Sequence, residues 1–314
     1  MNLPALDWTV FTELRELLDT RQAAPALHRL AAIRRGSGDG LPSPLATLEA
    51  EALLSHGEPD RASVALQECI DAGRDDFWTW YNLAVVRREL RDWPGSFAAT
   101  RRAHALAGWT ESEAHGYAFT HDYFSSNIPN WQGWFRDHIR AAPIACLEIG
   151  SWQGGSSCWL LDRVVGPRGG RLTCIDLLEG SSEHAGFLAG LTAELGMPLQ
   201  TLFDANIART GLGGLARKLV GLSQGVLPRL HGERFDFIYI DGAHEAKYVI
   251  QDAVLCWQLL PPGGFMLFDD LPFAFADCPA QDTVRAIDFF LSVFEDEIEV
   301  IARERQLLLR RRPC

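Results

Sequence analysis

Residues 235–248, FDFIYIDGAHEAKY, join an apolar strand to a carboxylate and an imidazole. Asp241 follows the apolar run, and His244 comes three residues later. Imidazole groups titrate at about pH 6.5 and can accept a proton from a hydroxyl, so the pair is a candidate for general base catalysis. Lys247 shares a helical face with His244 and is an alternative base, a substrate contact or an ordinary surface lysine. The alternative for the whole stretch is a strand end followed by a polar helix cap.

Two more carboxylates follow the apolar run in LLPPGGFMLFDDLPF, at Asp269 and Asp270. Adjacent parallel strands lie about 4.8 Å apart, so Asp241, Asp269 and Asp270 are expected to converge at one edge of a sheet. Clustered carboxylates repel one another unless a cation lies among them, and Mg²⁺ prefers oxygen ligands. The three aspartates are therefore candidate metal ligands. The alternative is that they are solvated acids at strand ends.

A glycine-rich turn follows the first predicted strand in ACLEIGSWQGGSSCWLLDRV. Glu148 precedes Gly150 and Gly154, and a helix is predicted to begin near Ser156. The spacing E-x-G-x-x-x-G differs from the G-x-G-x-x-G of dinucleotide-binding folds. The acid would repel a pyrophosphate but attract the cationic amino end of S-adenosylmethionine. The pattern thus favours that cofactor over the dinucleotide of an oxidoreductase, although a turn needed only for packing remains an alternative.

Further cofactor contacts are expected at the ends of the next strands. Asp176 ends LTCIDLLEG, where a carboxylate can accept hydrogen bonds from both ribose hydroxyls. Asp204 or Asn206, in LFDANIART after a predicted third strand, is a candidate partner for an adenine amine or a simple turn residue. The complete set of predicted cofactor contacts comprises Glu148, Gly150, Ser151, Gly154, Ser156, Asp176, Leu177, Asp204, Asn206, Asp241 and His244.

Residues 143–314 alternate short runs rich in Val, Ile and Phe with helical stretches, which is typical of a parallel α/β sheet. The last two predicted strands are close enough to form a hairpin, so the final strand is expected to be antiparallel. The predicted strands are 145–149, 171–176, 199–203, 235–241, 264–269, 298–302 and 306–310.

Residues 1–110 have helical periodicity and a weak internal repeat at an offset of 34, as in Ala50 and Ala84. This resembles tetratricopeptide (TPR) repeats, with a generic helical bundle as the alternative. Two copies are fewer than a free-standing solenoid needs, so we expect packing on the second domain, on a protein partner or on a second copy in a homodimer. The aromatic segment 111–142 is expected to connect the domains and pack on the active site.

The composition excludes several classes of function. The net charge of −12 and the pI of about 5.2 argue against nucleic acid as the main partner. No apolar run approaches the roughly 20 residues that cross a bilayer, and no signal peptide is recognised, so no membrane partner is expected. The cysteines form no CxxC pair, which favours reduced, buried thiols in a cytoplasmic protein.

Taken jointly, four segments between about residues 121 and 272 resemble class I S-adenosylmethionine-dependent methyltransferases. They are most similar to the bacterial group that includes the macrocin-type O-methyltransferases, and more distantly to catechol O-methyltransferase. The resemblance implies a Rossmann-like seven-stranded sheet with a reversed last strand, preceded here by the helical domain. The segments are DYFSSNIPNW, CLEIGSWQGGSSCWLL, CIDLLEG and FDFIYIDGAHEAKYVIQDAVLCWQLLPPGGFMLFDDL.

The resemblance also implies roles for individual residues. Glu148 and Gly150 match the motif that holds the methionine part of the cofactor, and Asp176 matches the acid on the ribose. His244 matches the catalytic base. The metal ligands match Asp241, Asp269 and Asp270, although the macrocin-type enzymes have Glu at the middle position.

These observations predict an Mg²⁺-assisted O-methyltransferase acting on a small molecule, a sugar or a natural product. In the predicted mechanism, His244 removes the proton of an acceptor hydroxyl held near Asp241. One alternative is a peptide or protein methyltransferase whose helical domain docks the polypeptide; truncation at residue 110 would then abolish substrate binding but not cofactor binding. Another is a binding module with an inactive catalytic domain, against which the intact set of site residues argues.

Overall fold

The computed structural model describes residues 7–36, 40–179 and 185–313, and the side chains of 185–187, 190 and 191 are outside this description. The chain divides into two compact units, Met1–Pro129 and Asn130–Cys314. The boundary falls within helix α8 (Ile128–Asp137). Within the described ranges, no helix combines the length and the apolarity that crossing a membrane requires.

The first unit is helical, as predicted. Successive helix pairs begin 34 residues apart, since α3 and α5 start at 43 and 77 and α4 and α6 start at 59 and 93. This spacing equals the offset of the sequence repeat, while the assignment to the tetratricopeptide class stays a prediction. The helices are α1 (Trp8–Asp19), α2 (Ala23–Gly36), α3 (Ser43–Ser55), α4 (Pro59–Asp71), α5 (Phe77–Glu89), α6 (Trp93–Leu106) and α7 (Glu111–His115).

Small side chains allow these helices to pack closely. Ala50, Ala62 and Ala99 are fully buried in one cluster with larger residues of α3 to α6. Aspartates cap three of the described helices: Asp7 caps α1, Asp76 caps α5 and Asp92 caps α6.

A buried polar chain orders the segment after α7. Nε2 of His104 lies 3.1 Å from Asp122, and Nδ1 lies 2.7 Å from the hydroxyl of Ser112. Asp122 also accepts the backbone N–H of Ser125 at 2.9 Å. Burial acts to raise the pKa of Asp122, but His104 and Ser125 outweigh it and hold that pKa below its usual range. These hydrogen bonds tie the segment after α7 to α6. Because Ser112 and His104 are almost completely buried, neither side chain is exposed as a nucleophile.

The second unit is built on a single sheet. Among the described residues, seven strands follow the order β3-β2-β1-β4-β5-β7-β6. β1 to β5 are parallel, whereas β7 runs antiparallel to both β5 and β6. The predicted fold class, including the reversed last strand and its hairpin, is confirmed. The strands are β1 (Ala145–Ile149), β2 (Arg171–Asp176), β3 (Ala216–Val220), β4 (Phe237–Ile240), β5 (Phe265–Phe268), β6 (Ile298–Arg303) and β7 (Leu307–Arg311).

Helices connect these strands, and the central strands β1, β4 and β5 are buried along their whole length. Helix α9 continues through a π-helical turn at 161–165 into α10. The helices after α8 are α9 (Gly155–Leu160), α10 (Gly166–Arg168), α11 (Ala185–Leu195), α12 (Leu199–Arg209), α13 (Ser223–Val226), α14 (Ala246–Trp257) and α15 (Thr283–Val293). The cysteines of the described residues form no disulfide; Cys278 is exposed and the others are buried.

The predicted third strand, 199–203, is wrong. These residues begin helix α12, in which the buried positions Leu199, Leu202 and Phe203 recur at helical spacing. The third strand is instead 216–220, a partly exposed strand at the edge of the sheet. Its sequence, ARKLV, lacks the apolar run that marks the central strands, because an edge strand buries less of its surface.

Candidate active site

The carboxyl ends of the parallel strands meet at one edge of the sheet. Ile149 of β1 pairs with Ile240 of β4, which pairs in turn with Phe268 of β5. The residues that follow these strands therefore lie side by side, and they include Gly150, Asp241 and Asp269. The predicted convergence of Asp241 with Asp269 at one edge of the sheet is thus observed, and Gly150 lies at the same edge.

Glu148 lies inside the fold and holds the glycine-rich loop. Its carboxylate is fully buried and accepts hydrogen bonds from the hydroxyls of Ser151 at 2.8 Å, Ser156 at 2.5 Å and Ser157. Burial raises the pKa of Glu148, although the three hydroxyls act to lower it. Glu148 thus fixes both ends of the turn that leads into α9.

Asp176 ties the loops after β1 and β2 together. One of its carboxylate oxygens accepts the backbone N–H groups of Ser151 at 2.6 Å and Trp152 at 2.8 Å, and the other accepts that of Leu178 at 2.6 Å. Both Trp152 and Leu178 have positive φ, a conformation that costs free energy in residues other than glycine. Strain of this kind is concentrated around functional sites, and here it lies in the predicted cofactor loops.

Asp241 and Asp269 share a buried tyrosine. The Tyr239 hydroxyl lies 2.9 Å from Oδ2 of Asp241 and also contacts Oδ2 of Asp269. Burial raises the pKa of Asp241 well above its usual range, and the charges of Asp269 and Asp270 raise it further. Burial and Asp270 raise the pKa of Asp269 in the same direction. One hydroxyl proton cannot serve both carboxylates at once, so this pair favours either a further proton or a cation.

His244 faces Asp270, the acid that follows Asp269 in the sequence. Its Nε2 lies 3.0 Å from Oδ2 of Asp270, and its ring stacks on Phe273 with the centroids 4.4 Å apart. The hydroxyl of Thr283 donates to the His244 carbonyl at 2.7 Å. These contacts fix the imidazole beside a cleft whose lining includes Asp241 and Asp270. Asp270 has φ of 51°, so this carboxylate is presented by strained backbone.

The donor chemistry of this edge fits a divalent cation. One ligand atom each of Asp241, His244 and Asp270 lies within 4.8 Å of the others, and this is the group of potential ligands found among the described residues. Carboxylate oxygens suit Mg²⁺, and an imidazole nitrogen suits softer divalent ions. Of the three predicted ligands, Asp241 and Asp270 belong to this group and Asp269 does not.

A comparison with protein families identifies the domain that carries this edge. Residues 147–271, about two-fifths of the chain, match a family described as "Methyltransferase domain". This segment is a methyltransferase domain. The predicted enzyme class, a methyltransferase with the class I fold, is thereby confirmed. No curated protein matches the chain.

Solved structures resemble the methyltransferase domain only distantly. The O-methyltransferase NovP is 17% identical over 62% of this chain and 84% of its own, with a TM-score of 0.43. MycE, a mycinamycin-pathway methyltransferase solved with Mg and SAH, is 16% identical over 62% of this chain and 51% of its own, with a TM-score of 0.42. A Bacillus cereus O-methyltransferase solved with SAH is 18% identical over 66% of this chain and 90% of its own, with a TM-score of 0.43. At such distances they carry no argument about the activity.

Two predicted cofactor contacts occupy unexpected positions in the methyltransferase domain. Asp204 and Asn206 lie on α12 and do not follow a strand. Asp204 pairs with Lys218 at 2.5 Å, and buried Asn206 donates to the carbonyl of Gln153 at 3.0 Å. Asn206 therefore supports the glycine-rich loop, and the adenine role of both residues stays a prediction.

The end of β3 takes the place expected for those two residues. The backbone N–H of Gly221 donates to the Asp176 carbonyl at 3.0 Å, so the residues after β3 adjoin the loop after β2. Leu177, a predicted contact, is 37% exposed there, and Leu222 is 61% exposed. Leu222 was not among the predicted contacts because the third strand was predicted at 199–203.

Asp252 is a buried acid of α14 that the sequence analysis also missed. It is 1% exposed, and its Oδ1 has no hydrogen-bond partner within the described part of the chain. Burial raises the pKa of Asp252 to about 6, while a hydrogen bond from Ser223 acts to lower it. A signal in the sequence was available, since Asp252 recurs at helical spacing with the apolar residues Val249 and Cys256, and aspartate is seldom fully buried without a partner.

We predict that Asp252→Asn stabilises the domain at pH 8 and has little effect at pH 4. The raised folded-state pKa means that the protonated form is favoured, so the stability of the wild type is highest below the unfolded pKa and falls as the pH rises through about 6. The resulting change in the free energy of unfolding of the wild type is about 3 kcal/mol for a shift of this size in the pKa of Asp252. Urea unfolding of both proteins at the two pH values measures it. Asp296→Asn, at an exposed position, is the matched control and should show no such change; an equal gap between wild type and Asp252→Asn at both pH values would contradict the prediction.

Proposed function

We propose that this protein transfers a methyl group from S-adenosylmethionine to a hydroxyl of a small molecule, sugar or natural product, with a divalent cation such as Mg²⁺ and His244 as the base. The observation that carries the proposal is the His244–Asp270 pair beside Asp241, at the same edge of the methyltransferase domain as the glycine-rich loop. This arrangement provides a proton acceptor and oxygen ligands next to the predicted cofactor loops.

The chemistry requires removal of one proton and no covalent enzyme intermediate. When bound, S-adenosylmethionine supplies a methyl group on a positively charged sulfur. The methyl carbon bonds to the acceptor oxygen while its bond to sulfur breaks, and the electron pair of that bond stays on sulfur. His244 takes the hydroxyl proton, and Asp270 stabilises the imidazolium that forms. Asp241 and Asp270 would hold the cation, which lowers the pKa of a bound hydroxyl. Ordering of the loops by Glu148 and Asp176 keeps the reacting groups in position.

The helical unit is a separate part of the proposal. We propose that residues 1–110 form a docking domain for a protein partner or a second copy of the chain, and that 111–142 connects it to a catalytic domain at 143–314. The 34-residue spacing of the helix pairs supports a repeat architecture, which commonly binds proteins. A peptide or protein acceptor is the alternative substrate class for the same site. The unpaired thiols of the described cysteines, buried except for Cys278, support the proposal of a cytoplasmic location.

Calorimetric titration of S-adenosylmethionine into the full-length protein tests the proposed function. We expect micromolar binding in the wild type, weakened at least about tenfold in Glu148→Gln, because an amide cannot accept hydrogen bonds from all three serine hydroxyls. Glu295→Gln, at an exposed position, should bind like the wild type. A parallel titration with NAD⁺ should show no heat of binding. Binding of NAD⁺ without binding of S-adenosylmethionine would refute the proposed function and favour an oxidoreductase.

A further inference from the structure

The two adjacent acids after β5 occupy different surroundings. Asp270 is 38% exposed by its side chain and faces His244 across 3.0 Å. Asp269 has both carboxylate oxygens engaged within the protein: Oδ1 accepts the backbone N–H of Asp270 at 2.8 Å, and Oδ2 contacts the Tyr239 hydroxyl. The group of potential ligand atoms on Asp241, His244 and Asp270 leaves Asp269 out.

Behind Asp269 lies a buried amide. Gln306, in the turn between β6 and β7, is 3% exposed, and its Oε1 accepts the indole N–H of Trp131 at 3.0 Å. This bond sets the orientation of the amide. Its Nε2 makes no hydrogen bond of good geometry within the described residues, and the Gln306 side chain adjoins the Asp269 carboxylate. A buried amide donor of this kind needs an acceptor, and the Asp269 carboxylate is the acceptor it adjoins.

Tyr239 contacts the Asp269 carboxylate through its hydroxyl. Tyr239 is 1% exposed. Its ring packs edge-to-face against the ring of Trp131, with the centroids 4.8 Å apart. Its hydroxyl is therefore held in place by packing as well as by its two carboxylate contacts. The same hydroxyl reaches Asp241, so the orientation of Asp269 is coupled to that of Asp241 through one oxygen atom.

We propose that Asp269 is a positioning residue and not a cation ligand. Together with Tyr239 and Gln306 it fixes the side chain of Asp241, while Asp241 and Asp270 are the acids that hold a divalent cation. This inference rests on the cation part of the proposed function. It reverses the expectation for Asp269 drawn from the sequence, and it adds Tyr239 and Gln306 to the residues on which the site depends. Buried partners that orient a metal ligand commonly matter to affinity about as much as 10- to 100-fold.

Mn²⁺ binding to the full-length protein, followed by the electron paramagnetic resonance signal of the free ion, tests the assignment. In Asp269→Asn the amide oxygen can still accept the backbone N–H of Asp270, and the amide nitrogen can donate to the Tyr239 hydroxyl, which then donates to Asp241. We therefore expect its Mn²⁺ affinity to stay within roughly threefold of the wild type. Asp270→Asn removes a ligand and should weaken binding by more than about 30-fold. Tyr239→Phe keeps the ring but loses the shared hydroxyl, and should weaken binding by about tenfold.

A longer acid separates a ligand from a positioning residue by the direction of the effect. Asp269→Glu would tighten Mn²⁺ binding if position 269 faced the ion, because the extra methylene extends its reach. On our assignment the longer side chain crowds Tyr239 and weakens binding. The assignment is overturned if Asp269→Asn loses as much affinity as Asp270→Asn, if Asp269→Glu binds more tightly, or if the wild type binds no Mn²⁺. Titration of S-adenosylmethionine into the same samples distinguishes these results from failure of the methyltransferase proposal, which loss of cofactor binding in the wild type would indicate.

Discussion

His244→Gln is expected to lower kcat by about 10²- to 10⁴-fold while binding of S-adenosylmethionine is retained. General base catalysis by a positioned imidazole contributes an effect of this size, and glutamine of similar length cannot accept the proton. The geometry supports the role, since Asp270 and Phe273 hold the ring at the cleft. Initial rates measured with any acceptor found in a screen, together with calorimetric titration of the cofactor, check both parts of the prediction.

Two other variants make this result specific. His231→Gln replaces an exposed histidine and should leave kcat unchanged. Lys247→Met tests the alternative base; Lys247 is exposed and its Nζ lies 4.6 Å from the centre of the Tyr248 ring, so we expect only a small effect. A large loss of kcat in Lys247→Met with full activity in His244→Gln would exchange the two roles.

Loss of Asp270 should reproduce part of the His244 effect, which links the catalytic proposal to the assignment of the acids. Asp270 touches the imidazole directly, whereas Asp269 reaches Asp241 only through Tyr239. The order of effects on kcat is therefore expected to be His244, then Asp270, then Asp269. That order depends on which acid faces the cleft, and the adjacent positions 269 and 270 in the sequence give no means of deciding it.

The sequence predicted the central strands because they are buried on both faces. β4 and β5 are continuous apolar runs followed by an acid, and β1 is an apolar run interrupted by Glu148 and followed by glycine, a pattern with few alternatives. β3 was not predicted, for the opposite reason: it lies at the edge of the sheet, carries Arg217 and Lys218, and is only partly buried. The apolar residues of 199–203 fit a strand or a buried helix equally well over so short a window.

The site was predictable to the level of the sheet edge and no further. Strand ends place Asp176, Asp241 and Asp269 at that edge whatever their side chains do. The direction in which each carboxylate points depends on tertiary partners. One of them, Gln306, is 37 residues from Asp269 in the sequence. Such long-range contacts leave no local pattern.

Gly150 shows how a correct motif can have a different physical cause from the one expected. From the sequence, this glycine is expected to let the backbone approach a ligand closely. In the structure, its missing side chain makes room for the protein itself: a Cβ at Gly150 would lie 1.7 Å from the carbonyl oxygen of Asp241. The loops after β1 and β4 therefore touch at this glycine, and Asp241 takes its position from that contact.

Gly150→Ala is accordingly expected to destabilise the methyltransferase domain by about 3–5 kcal/mol, from the strain of a positive φ and from overpacking against rigid backbone. Gly169→Ala is the matched control, because Gly169 has φ of 65° but nothing within 4 Å of its added Cβ; it should cost only about 1 kcal/mol. Thermal unfolding of the two variants measures the difference, which corresponds to roughly 4–16 °C at 2–4 °C per kcal/mol. Because Asp241 must move away to make room for the side chain of the alanine at position 150, Mn²⁺ binding should also be lost in Gly150→Ala and kept in Gly169→Ala. Equal stability of the two variants would mean that the contact between the loops after β1 and β4 does not place Asp241.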